Sequence, residues 1–300
     1  MNIDPELEAF IPLFPKDDLT DPVAARKSLA ELAAAAPTPD TAGLQIEDRA
    51  VPADPDVPVR VYRPHEPQGA IVWLRGGGFV MGDLDTEHPW AARLADDSGA
   101  VVVSVGYRRA PEQPFPAALD DAYAALAWTA GHAAELGTGP ERIAVGGQAA
   151  GAGLAAAVAL RARDQHGPPI RFQLLNQPEP DDRQQTWSAR NFTGTPFMTR
   201  GKVAASWRHY LGSAAATPYA APARAADLSG LPPAYIATAE FDPNRDEAIG
   251  YALRLLQAGV PAELHQWPGT FHGSWAVPSA DVSQRQIAEL TAALRRALAR

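Results

Sequence analysis

The sequence predicts an α/β protein: a doubly wound, mostly parallel, eight-stranded sheet under a helical cap. Three observations predict it. The runs Ala70–Leu74 and Ala100–Val105 are apolar at nearly every position, as in strands covered on both faces. From Asp120 to the C-terminal end, strand and helix patterns alternate. Residues 181–225 interrupt that alternation with a polar stretch and then a helical one, as an insertion above the sheet would.

Taken in order, residues 1–45 read as amphipathic cap helices, with Asp21-Pro22 as an N-cap followed by proline at the first helical position. Residues 45–51 and 57–62 read as a hairpin around Pro52-Ala53-Asp54-Pro55-Asp56. Strands follow at 70–74, 100–105, 142–145, 172–175, 234–239 and 262–267, with helices at 120–132, 151–164, 247–258 and 282–298. There is no internal repeat and no linker. Residues 46–300 therefore form one domain, with 181–225 as its cap insertion.

The composition excludes several classes. The 300 residues are 46% hydrophobic and 20% charged, an ordinary balance for a packed chain. A net charge of −9 without a basic stripe argues against nucleic acid as a partner. The absence of cysteine removes disulfides, thiolate catalysis and cysteine-held zinc. Residues 1–10 lack the basic start of a signal peptide, and no apolar run nears the roughly 18 residues of a membrane span. A cytoplasmic protein acting on a small molecule is the expectation, with no cofactor or metal motif visible and a homodimer left open.

Ligands in such sheets bind beyond the carboxyl ends of the strands. Four segments fall there. Arg75-Gly76-Gly77-Gly78-Phe79 reads as an oxyanion hole, a phosphate cradle or a plain turn; no Lys-Ser/Thr follows, which a P-loop needs. Gly147-Gln148-Ala149-Ala150-Gly151 has the outer glycines of the nucleophile elbow G-x-S-x-G, with Ala149 at its centre. Asp242 follows a strand, and Asp246 reads as the N-cap of the next helix. His272 lies in a loop after the last strand. Elbow, aspartate, histidine is the chain order of a serine-hydrolase triad.

With these segments the chain resembles the hormone-sensitive-lipase-like branch of the α/β-hydrolases, bacterial esterases and lipases with an H-G-G-G motif. Residues 82–88, 107–112, 178–183 and 258–261 extend the resemblance over about 45–298. It implies the α/β-hydrolase fold, Asp242 and His272 as acid and base, and oxyanion donors at Gly77, Gly78 and Ala150. The departures are Ala149 for the serine, Arg75 for the first histidine, Gly106 and Arg109 in the D-Y-R-L-A-P-E stretch, and Asn176-Gln177 at a strand end.

Three readings of Ala149 follow. The preferred one is a repurposed site, in which His272 moves protons without an acyl-enzyme: elimination, cyclisation, isomerisation or hydrolysis by an activated water. Arg75, Gln148 and Gln177 would then face a polar or anionic substrate, with Arg75 in the cavity or at its rim. The alternatives are a carboxylic ester hydrolase in a Ser-to-Ala inactive form, and a non-catalytic binding protein. Arg109 and Asn176 also admit plain readings, as a solvated arginine and a strand end.

Overall fold

The computed structural model describes residues 1–35 and 38–299. Eight strands form one sheet: β1 (Leu44–Val51), β2 (Val57–Pro64), β3 (Ala70–Leu74), β4 (Val101–Val105), β5 (Ile143–Gln148), β6 (Phe172–Asn176), β7 (Ala234–Phe241) and β8 (Ala262–Phe271). Their spatial order is β1-β2-β4-β3-β5-β6-β7-β8. The β1–β2 and β2–β4 pairs are antiparallel, and every later pair is parallel. Every residue of β3 and β4 is buried, because helices cover both faces.

Between the strands run α1 (Pro5–Glu8), α2 (Pro22–Ala35), α3 (Leu84–Ser98), α4 (Ala117–Gly131), α5 (Ala150–Asp164), α6 (Trp187–Asn191), α7 (Arg200–Leu211), α8 (Arg245–Gln257) and α9 (Asp281–Leu298). One face of the sheet packs on α4, α5 and α8, and the other on α3 and α9. The sequence reading has no helix at α3, although Asp83 caps it with a full capping box to Thr86. Strand β8 also runs past Pro268 and Gly269 to Phe271, beyond the expected end at 267.

The N-terminal residues do two things. The Asp4 amide donates to the Gly269 carbonyl at 2.9 Å, and Phe14 packs edge-on against Phe271 at 5.1 Å, alongside the end of β8. Residues from Leu19 onward lie over the loop after β3. Arg26 of α2 donates to the carbonyls of Val80 (2.7 Å) and Ala110 (3.0 Å) and pairs with Glu112 at 2.7 Å. His209 of α7 bonds the Leu19 carbonyl at 2.9 Å. Ala25 of α2 and Ala205 of α7 thus share one apolar cluster with Leu19, Val80 and Met81 over that loop.

Candidate active site

Strand β5 turns into α5 through Ala149, which holds φ 51° and ψ −121°. An L-residue adopts such a backbone at a cost of about 1–3 kcal/mol, so the surroundings must enforce it. They do. A Cβ on Gly147 would lie 2.4 Å from the Leu74 carbonyl oxygen, and one on Gly151 2.1 Å from the same atom. The strand-to-helix turn therefore presses directly on the backbone of β3. The Ala149 amide donates to the Asn176 carbonyl at 2.9 Å, and its own carbonyl accepts from Glu179 at 3.2 Å. The result is a tight, fully engaged elbow with a methyl group at its tip.

The glycine loop packs against that tip. A Cβ on Gly76 would sit 3.6 Å from the Ala149 Cβ. Gly77 (φ 112°) and Gly78 (φ 57°) adopt conformations that L side chains rarely adopt, and a Cβ on Gly77 would meet the Met81 carbonyl at 2.7 Å. Phe79 anchors the far end of the loop by stacking on Tyr210 of α7 at 3.8 Å. The amide of Ala150 opens α5 immediately after the elbow.

His272 and Asp242 meet from the ends of β8 and β7. His272 Nδ1 lies 2.7 Å from Asp242 Oδ2, and both side chains are buried. The other carboxylate oxygen of Asp242 accepts the Asn244 amide at 2.9 Å. Burial alone would push the His272 pKa down; the Asp242 charge and hydrogen bond, with Glu179 behind them, outweigh it and raise it. Such a pair holds the imidazole in one orientation and stabilises its protonated form.

The guanidinium of Arg75 is not in a cavity, and this corrects the expectation. It is 2% exposed and donates to the carbonyls of Met81 (3.2 Å), Val105 (3.3 Å) and Tyr107 (2.9 Å). It also lies 3.7 Å over the Tyr107 ring, and the Tyr107 hydroxyl returns a bond to the Arg75 carbonyl at 2.8 Å. Among the described residues no carboxylate hydrogen-bonds it. Backbone oxygens of the β3 and β4 loops satisfy the charge instead.

Two other expected substrate contacts are also turned inward. Gln148 donates to buried Glu87 at 2.7 and 2.9 Å, and Trp73 Nε1 donates to the same carboxylate at 2.6 Å. Burial pushes Glu87 up to about 7. Gln177 accepts the Gly273 amide at 2.8 Å and so ties the end of β6 to the His272 loop. Asp246 is not an N-cap either: it sits in the first turn of α8 and binds the Ser188 amide at 2.8 Å, fastening α6. Arg109 donates to the Gly82 carbonyl at 3.2 Å.

Buried carboxyl groups outside the expected triad surround the pair. Glu179 is fully buried beneath the elbow, and Glu247 lies beyond it with neither carboxyl oxygen bonded among the described residues. Leu19, Met81, Phe197 and Lys202 line a small cleft where the cap meets the glycine loop. A second cavity, of about 30 Å³, is lined by Trp73, Trp90, Trp275, Asn176 and Gln286. Among the described residues, the one group placed to share a cation is Glu263, His265 and Glu289, and Arg296 already bonds both glutamates. No helix among them is long and apolar enough to cross a membrane.

Residues 71–276 match the family model of the alpha/beta hydrolase fold. The chain belongs to the α/β-hydrolase family. It is 42% identical over 267 residues to the carboxylesterase NlhH of Mycobacterium tuberculosis, covering 84% of this chain and 83% of that one. Among solved structures it is similar to a bacterial heroin esterase, with a TM-score of 0.94, 44% identity and coverage of 99% and 98%. It is also similar to a serine-to-alanine mutant of esterase rPPE complexed with (S)-Ac-CPA, with a TM-score of 0.92, 32% identity and coverage of 99% and 98%. The eight-stranded sheet is thus that of an α/β-hydrolase, and the scaffold is esterase-like.

Proposed function

We propose that this is a carboxylic ester hydrolase site in its nucleophile-free form: it receives an ester but forms no acyl-enzyme. The observation that carries the proposal is the 2.7 Å pair of His272 and Asp242, kept beside an elbow whose central residue still holds a positive φ. A base, its orienting carboxylate and a glycine loop remain, and only a hydroxyl is missing. The similarity to proteins named as esterases supports the substrate class. The rPPE complex supports the idea that such a site holds a ligand without its serine.

The roles follow from the chemistry. An ester carbonyl at the elbow would have its oxygen turned to the amides of Gly77, Gly78 and Ala150, which stabilise developing negative charge. With serine at 149, His272 would accept the hydroxyl proton and later return it to the leaving alcohol, while Asp242 holds the imidazolium. With Ala149 there is no atom to attack. What remains is the order of 10³–10⁴-fold over water that oxyanion donors and binding supply.

The test is Ala149→Ser assayed on a short p-nitrophenyl ester. Hydrolysis is expected to rise on the order of 10³-fold or more, since the single change completes the triad. A folded variant with no gain would overturn the proposal. The repurposed reading now rests on His272 alone, because Arg75, Gln148 and Gln177 bond the protein itself. It would regain support if the Ala149 chain turned over a carbonyl substrate through proton transfer and lost that activity in His272→Gln.

A further inference from the structure

Glu179 stands at a junction that the reaction scheme leaves unused. Its backbone amide supports the Ala149 carbonyl, so it sits directly under the elbow. Its carboxyl Oε2 lies 3.3 Å from Ser206 Oγ of α7. Ser206 Oγ in turn lies 3.0 Å from the carbonyl oxygen of Gly78 in the glycine loop. All three residues are enclosed between the cap and the sheet.

The direction of these bonds can be worked out. A serine hydroxyl has one proton to donate, and a carbonyl oxygen can only accept. The shorter contact, to Gly78, therefore takes the Ser206 proton. The longer contact then carries a hydrogen bond only when a protonated Glu179 donates to Ser206. A second observation agrees. Glu179 Oε1 is buried with no partner among the described residues, a costly place for an anionic oxygen. The charged or titratable groups around it are His272, Asp242, Glu247 and Tyr107. Three of those four are acids.

We propose that Glu179 and Ser206 are positioning residues of a proton-dependent relay that holds the oxyanion loop: Glu179 donates to Ser206, which donates to the Gly78 carbonyl. When Glu179 loses its proton to solvent, the Ser206 hydroxyl turns to the carboxylate and the Gly78 carbonyl loses its donor. The relay would make the loop tightest at low pH and release it as the carboxyl ionises. Burial pushes that carboxyl up to about 7; the His272 charge opposes the shift and the Asp242 charge reinforces it. The cap helix thereby takes part in the site without touching a substrate.

The relay as a reaction device rests on the esterase reading, but its test needs no activity, so the two can fail separately. In the chain as it stands, the carbonyl ¹³C resonance of Gly78 and the amide ¹⁵N of Phe79 would be followed by NMR from pH 5 to 9. One step near pH 7 is expected in both. Glu179→Gln, a permanent donor, should abolish the step and freeze both signals near their low-pH positions. Ser206→Ala should abolish it as well, while the His272 ring continues to titrate. A step that survives either substitution overturns the relay. So does the absence of any step in the unsubstituted chain, a result independent of how the variants fold.

Discussion

Replacing Arg75 with methionine would test whether it is a structural clamp rather than an anion receptor. Methionine keeps an unbranched stem, two atoms shorter, and carries no charge. Three carbonyls, of Met81, Val105 and Tyr107, would lose their donors at 2.9–3.3 Å. Charge-assisted bonds contribute about 1.5–3 kcal/mol each, which sets a gross loss of roughly 4–9 kcal/mol. Against this stands the cost of burying a guanidinium that no carboxylate contacts, several kcal/mol that the variant recovers. The carbonyls stay behind unpaired, so the balance remains unfavourable, by about 3 kcal/mol. Urea unfolding with an unchanged slope should report that loss directly. A thermal melt should show it as a fall of roughly 5–10 °C. A loss under about 0.5 kcal/mol, with weakened binding of a carboxylate ligand, would refute the clamp and return Arg75 to the cavity.

Three further substitutions test the buried acid and the elbow. Burial, with Asp181, Asp242 and Glu179 adding to it, pushes Glu247 up to about 9. Between its ordinary value near 4.5 and about 9 the folded state holds a proton that the unfolded state has lost, so this group's contribution to stability falls as pH rises. Glu247→Gln should therefore stabilise the chain progressively from pH 5 to 9, and a constant difference in melting temperature across that range would contradict the reasoning. Gly151→Ala should cost more than about 3 kcal/mol, because its Cβ would lie 2.1 Å from the Leu74 oxygen, whereas Gly250→Ala in α8, with nothing within 4 Å, should gain about 0.5–1 kcal/mol. Equal melting temperatures for these two variants would show that the elbow does not press on β3.

The fold was legible where physics acts along the chain. Strands β3 and β4 declare themselves because both faces are covered, and the hairpin of β1 and β2 because turn residues separate two alternating runs. Helix α3 was hidden: Asp85, Glu87, His88 and Pro89 obscure its apolar stripe, although Asp83 and Thr86 spell out its cap. The pairing of Asp242 with His272 follows from chain order and from the family resemblance, and the 2.7 Å contact shows it. The direction of Arg75 was not legible, because its partners are backbone oxygens, which every residue possesses and no sequence pattern marks. Glu179 and Ser206 are 27 residues apart and meet only because the cap folds back over the sheet.

The elbow has a consequence for descent. Its strained turn is imposed by Gly147 and Gly151 bearing on the neighbouring strand, so the shape belongs to the scaffold and survives whatever side chain it displays. Alanine and serine share four-fold codon boxes that differ at the first base. A lineage carrying this turn can therefore shed or regain a hydroxyl by one nucleotide change, without rebuilding the backbone that would present it. The geometry of the turn is therefore set by the two glycines and not by the side chain displayed at 149.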